Sequence, residues 1–188
     1  DKKGNQDYVY LLEEAFAKAK ERDLNILNLL EKENNPAIFE KIYNTYIELN
    51  QRQEKIKPLL PLKLLNEGRN AFFLFENYNT SIIESKNDLS AYLYANAKSL
   101  LSTTDKMNFR KAFDDLTYLN QITPNYKNTI DLLHEAQYKG TDFVNVFTIN
   151  ETNMIIPARL QNELLDFNTY GLKSKWTEFH SVKQNGIN

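Results

Sequence analysis

The sequence predicts a mainly α-helical protein, built of antiparallel helical hairpins and followed by a short β-α-β segment that opens a truncated α/β unit. Three observations carry this. In successive stretches between Tyr8 and Ala136, apolar residues recur at threes and fours, the spacing that lines one face of a helix. Asn35-Pro36 and Thr123-Pro124 separate such stretches, and proline suits a first helical turn because its missing N–H would have no intrahelical partner there. Beyond Gly140 the period changes: Phe143 to Ile149 is rich in β-branched and aromatic residues with apolar groups on both faces, as in a buried strand.

Taken in order, Tyr8, Leu11, Leu12, Ala15, Phe16 and Ala19 predict a first helix from about Gln6 to Arg22. A shorter one is expected over Ile26 to Leu30. Asn35 offers a capping side chain ahead of Pro36, so a third helix should start there and run to about Lys57. Its apolar residues Ile38, Phe39, Ile42, Tyr43, Tyr46 and Ile47 cover a face wide enough for two neighbours. Pro58 and Pro61 then break the pattern, and Leu59 to Asn70 reads as a connector laid across the helices. After Phe72, Phe73 and Phe75, the cluster Asn77 to Thr80 turns the chain. Ser81 and Glu84 have the spacing of a capping box, in which each side chain satisfies the other residue's unpaired backbone donor. A long helix from Ile82 to about Leu101 follows.

Phe109, Ala112, Phe113, Leu116 and Leu119 form the apolar face of a helix expected from about Asn108 to Ile122. Ala112, Leu116, Leu119 and Pro124 have the small, large, large, proline spacing of the second helix of a tetratricopeptide unit, and the stretch from Ala91 to Gly140 resembles one and a half such units. Ala97 and Leu100 serve as the first helix if the turn from Ser102 to Lys106 carries a short insertion. Tyr126, Ile130, Leu133 and Ala136 begin a further helix. The tryptophan and glycine usual in the first helix are absent, and an ordinary antiparallel helical pair is the alternative reading. Tetratricopeptide arrays bind in a groove lined by the first helix of each unit. That register points Tyr94, Lys98 and Leu101 into the groove, joined by Asp131, Glu135 and Tyr138 from the following helix. Such a mixed lining suits a peptide or protein surface better than a small metabolite.

Pro157 to Phe167 reads as a helix with Leu160, Leu164 and Phe167 on one side and Gly171 as its stop. Trp176 to His180 reads as a second strand. The expected organisation is a helical domain over residues 1–140 and the start of an α/β domain over 141–188, since one strand-helix-strand cannot close a core alone. Gly186 and Asn188 follow that strand, and the native protein is expected to continue.

Composition narrows the function. With 188 residues, 41% of them hydrophobic, the chain can bury a substantial core. A net charge of −2, without a basic run interleaved with aromatics, gives no pull toward phosphate backbones, and no nucleic acid is expected. Uninterrupted apolar runs such as Ala71 to Phe75 fall far short of the ~18 residues of a membrane span. The absence of cysteine removes thiol catalysis, disulfides and thiolate metal sites. No phosphate loop or nucleophile elbow is present, and neither His134 nor His180 has a second histidine at metal-ligand spacing. His180 would share a strand face with Trp176 and Glu178. Asp114 and Asp115, adjacent on a helix, suit a solvated face better than a paired carboxylate site. Asn150-Glu151-Thr152 matches a short, common glycosylation sequon. No catalytic residue, cofactor or metal is expected. The 11 tyrosines and 11 phenylalanines exceed what one small core needs, and tyrosine suits interfaces because its ring packs while its hydroxyl stays wet.

The runs Glu67-Gly68-Arg69-Asn70, Tyr138-Lys139-Gly140-Thr141-Asp142-Phe143-Val144, Ile155-Ile156-Pro157-Ala158-Arg159-Leu160 and Phe167-Asn168-Thr169-Tyr170-Gly171-Leu172 together resemble a group of Bacteroidota-type envelope lipoproteins. The resemblance implies export, a lipidated cysteine ahead of Asp1, and a place in the periplasm or at the outer membrane. It supplies no catalytic residues. The function expected is a non-enzymatic scaffold module that docks an envelope protein or peptide in a helical groove. The alternative is a glycan- or nutrient-binding surface lipoprotein whose exposed aromatics stack on sugar rings.

Overall fold

The computed structural model describes residues 6–33, 35–167 and 174–182. The fold is mainly α-helical with antiparallel helix packing and little strand, as expected. Its elements are α1 (Gln6–Leu30), α2 (Phe39–Ile56), β1 (Lys63–Leu64), β2 (Arg69–Asn70), α3 (Asn79–Leu101), α4 (Lys106–Ile122), α5 (Thr129–Gly140), β3 (Asp142–Asn145), α6 (Ala158–Leu164) and β4 (Thr177–His180). The chain divides into two compact units, Asp1–Leu93 and Tyr94–Asn188. The boundary expected near Gly140 falls inside the second of them.

In the first unit, α1 is one helix where two were expected. Asp23 sits at the expected break, yet its carboxylate does not compete for the local backbone because Arg22 (2.8 Å) and Arg52 (2.7 Å) hold it. With no glycine or proline nearby, the helix continues. Asn35 caps as expected: its Oδ1 accepts from Ala37 N at 3.1 Å, and Pro36–Ile38 form a 3-10 turn that leads into α2. Its core includes two clusters. Phe16, Ile56 and Phe73 form one, with Phe16 edge-on to Phe73 and Phe75. Leu27, Leu49 and Tyr78 form the other.

The connector runs beside α1, pinned to it by side chains. Gln6 donates to Lys63 O and accepts from Leu65 N, and Glu13 accepts from Phe72 N at 2.6 Å. Lys20 donates to Leu74 O at 3.0 Å. From α2, Gln53 both donates to Glu76 O and accepts from Glu76 N. Within the connector, β1 and β2 pair antiparallel, a hairpin that periodicity did not reveal. Its turn requires φ +65 at Gly68, a left-handed conformation that glycine adopts without a Cβ penalty.

The capping box expected at Ser81 and Glu84 is not formed. Asn77 Oδ1 accepts from Asn79 N at 3.0 Å, and Ile82 N already bonds back to Tyr78 O. The helix has therefore begun before Ser81 is reached. A competent capping amide upstream decides where the first turn starts.

In the second unit, α4 opens at Asp105, whose side chain accepts from Met107 N. Ala112, Leu116 and Leu119 are fully buried, as the repeat spacing required, and so are Ala97 and Ala136. The α5 face is displaced from the expected one. Thr129, Leu132, Ala136 and Gly140 are buried, while Ile130 is 43% exposed. The cause is the turn: Tyr126 lies outside the helix, which starts only at Thr129. After α5, β3 and β4 pair in parallel around α6, Asp142 opposite Thr177 and Asn145 opposite His180, giving the β-α-β segment predicted. The expected buried strand to Ile149 is shorter and wetter, with Phe147 66% and Ile149 68% exposed. A strand persists only where a neighbour takes its backbone groups, and pairing with β4 ends at His180. The helix expected from Pro157 to Phe167 is α6, which ends at Leu164 and leaves Leu160 47% and Leu164 50% exposed; Pro157 precedes it without a capping side-chain bond. Its stop at Gly171 and the run Asn168 to Leu172 lie outside the described residues, as do Gly186 and Asn188.

Candidate functional site

The residues that sequence placed in a groove belong to the second unit, and the structure separates them into three sets. Tyr94 and Lys98, four apart on α3, share a helix face. Asp131, Glu135 and Tyr138 are exposed on α5, spaced along one stripe. Leu101 does not join either set: at 6% exposed it belongs to the core. Removing an apolar leucine side chain from water is favourable, and at this end of α3 burial prevails over a place in the lining.

Tyr94 is the centre of a cluster that periodicity only half revealed. Its hydroxyl donates to Asn128 Oδ1 at 2.5 Å, and its ring stands edge-on to Tyr126, centroids 5.7 Å apart. Lys127 Nζ lies 4.6 Å from the Tyr94 centroid and 5.0 Å from that of Tyr126. Lys98 approaches Tyr94 at 5.8 Å. Two ammonium groups thus sit against two ring faces, the arrangement that the ring quadrupole favours. The turn that supplies three of these residues has positive φ at Asn125 (60) and Lys127 (48). Asparagine tolerates that conformation; lysine is strained in it. The signal available in sequence is Asn125, a residue type that tolerates left-handed turn conformations, although Pro124 before it reads as the start of the next helix.

A second aromatic set lies at the other end of α5. Tyr138, 58% exposed, packs on Phe143 at 5.3 Å, and Phe143 stacks on His180 at 5.8 Å. Beside it Arg110 donates to Gly140 O at 2.9 Å and to Asp142 at 2.7 Å, with its guanidinium over Trp176. Lys106 and Arg110 hold the Asp142 carboxyl below its ordinary pKa. Trp176 packs edge-on against Phe113.

The remaining titratable groups singled out by sequence are accounted for by their neighbours. Asp114 meets Lys175 at 3.3 Å, and Asp115 accepts from Asn96 at 2.8 Å, so the two carboxylates are not a working pair. His134 is exposed on α5. His180 Nε2 lies 3.5 Å from Glu178. Asn150 Oδ1 is turned back on its own sequon, accepting from Thr152 N and Oγ1. Among the described residues no three histidines or carboxylates converge in a way that would hold a metal, and no helix is long and apolar enough to cross a membrane.

The first unit has a cleft of about 420 Å³ between α1 and α2, lined by residues including Arg22, Asp23, Glu40 and Lys41. Its charges are mixed, and its one buried carboxylate is already bound by two arginines. Nearby, Tyr78 is pushed up to about 12, by burial first and then by the Glu76 carboxylate. The connector itself is held by other side chains, Lys20 and Gln53 among them. Compared with known proteins, the chain matches no family model, no curated protein and no solved structure.

Proposed function

We propose that this chain is a non-enzymatic docking module of a bacterial envelope lipoprotein, binding a protein or peptide through the outer faces of α3 and α5 in its second unit. One observation carries the reading: the cluster of Tyr94 and Tyr126 with Lys98 and Lys127 against their rings. Rings of this kind offer rigid contact area with little side-chain entropy to lose, and the lysines add complementarity to an acidic partner. The strained Lys127 backbone adds support, because strain held by surrounding structure concentrates at functional positions. The envelope location, with a lipid anchor ahead of Asp1, rests on the sequence resemblance.

The test is affinity purification of the tagged full-length protein from gently solubilised envelopes, beside a Lys98→Glu, Lys127→Glu, Tyr138→Ala variant. All three positions are exposed, so the variant should keep the parent's circular dichroism and thermal melt. A stoichiometric partner recovered with the parent should fall about tenfold or more with the variant. Equal recovery with both proteins would reject the surface. The glycan-binding reading draws on the 58% exposed ring of Tyr138. It predicts instead saturable glycan binding by the isolated chain that Tyr138→Ala alone removes.

A further inference from the structure

The first unit carries a groove that the proposed docking surface does not use. It forms where the C-terminal end of α1, the start of α2 and the first turns of α3 meet, and it holds about 260 Å³. Its floor is apolar, built from Leu30, Phe39, Ile42 and the ring of Tyr46. Its rim carries Glu31, Glu33, Glu84 and Asp88, and no lysine, arginine or histidine is among the described lining residues. Glu31 accepts the Tyr46 hydroxyl at 3.0 Å. Glu33, Glu84 and Asp88 are exposed and form no ion pair with any described residue.

Three physical arguments select the occupant. The rim carboxylates do not converge on a point, since no three of them are placed to hold a metal ion; they line an edge. A distributed negative edge suits an extended cation, not a compact one. The volume is below the roughly 300–1,000 Å³ usual for small-molecule sites, so the groove accepts a side chain and its neighbours better than a whole metabolite. Lysine and arginine have long apolar stems that cover apolar surface while the charged head stays wet, and the rings of Phe39 and Tyr46 offer faces that attract a cation.

We infer that this groove binds a basic peptide segment, with arginine or lysine stems along the apolar floor and their cationic heads spread along the edge formed by Glu31, Glu33, Glu84 and Asp88. The site shares no residue with the α3 and α5 surface, and the two stand or fall independently.

The experiment is titration of the whole chain with a fluorescent synthetic peptide of alternating arginine and leucine. A peptide of aspartate and leucine, and spermine, are the competitors, and a Glu33→Gln, Glu84→Gln, Asp88→Asn variant is run alongside. The substituted side chains are exposed, and unchanged circular dichroism confirms the fold. The expected result is saturable one-to-one binding of the basic peptide, weakened about tenfold in the variant and in high salt, and unaffected by Lys98→Glu, Lys127→Glu. Equal binding to parent and variant would overturn the site. No binding of the basic peptide, or equal binding of the acidic one, would overturn it as well. Displacement by spermine at the peptide's own affinity would show that the apolar floor takes no part, and the peptide reading would fall.

Discussion

Single side chains decide the close approaches in this protein, and Gly140 is the clearest case. A Cβ built there would lie 2.9 Å from Trp176 Cζ3 and 3.2 Å from Arg110 Cγ. Those two side chains pack on the end of α5 and leave no room for a methyl group. Gly140→Ala should therefore push the indole aside and destabilise the protein by about 1–3 kcal/mol, the range for overpacking a tight site. The chain has a single tryptophan, so its fluorescence reports the displacement directly. An unchanged emission maximum and unchanged melting would show that the indole does not sit against Gly140. In sequence this glycine marks the place where the period changes and a domain boundary is expected; its close packing against Trp176 depends on a residue far along the chain.

At the scale of elements, the connector between α2 and α3 shows how a segment with little regular structure is held. Its backbone is bonded by Glu13, Lys20 and Gln53, and Lys20 also reaches Glu76 at 2.6 Å. Lys20 is 7% and Gln53 is 3% exposed. Polar side chains so deep in a protein remain there because they satisfy backbone groups that would otherwise go unpaired. Lys20→Met keeps the stem but leaves Leu74 O without its donor, and should cost roughly 1–3 kcal/mol. Hydrogen exchange should quicken at the amides of Phe72 and Glu76 and stay unchanged in α4. Uniform acceleration along the chain would mean that the lysine supports the whole fold and not this segment. The helices themselves were legible because their apolar spacing is local. The connector was legible as a segment laid across the helices, but the bonds that hold it were not, because its partners lie tens of positions away in α1 and α2.

At the scale of the whole molecule, both units share a dependence on acid. Arg69 bonds and Phe72 N hold Glu13 below its ordinary value of 4.5, and Lys106 and Arg110 hold Asp142 below 3.8. A carboxylate with a depressed folded pKa binds fewer protons in the native state than in the unfolded one. Its contribution to stability is complete above the ordinary value and is lost as pH falls through the folded value. The melting temperature should be nearly level from about pH 7 to pH 5 and drop below about pH 4. Glu13→Gln with Asp142→Asn should lower it at pH 7 and flatten the drop. A melting temperature that rises on acidification would contradict the assignment.

The sequence by itself determined the helical class, the capped start at Asn35, the buried face of α4 and the strand-helix-strand order after Gly140. Each of these follows from spacing or from a capping residue acting within a few positions. Only the tertiary structure decided that Leu101 is core, that Lys127 stands over two rings, and that α1 continues through Asp23. The outward register of α5 also waited on the turn that delays its start. In the first three the deciding partner is remote in sequence: a facing helix, a tyrosine across a turn, an arginine on α2. Local periodicity selects which residues can form an element, and the choice among a helix's possible faces is made by whatever packs against it.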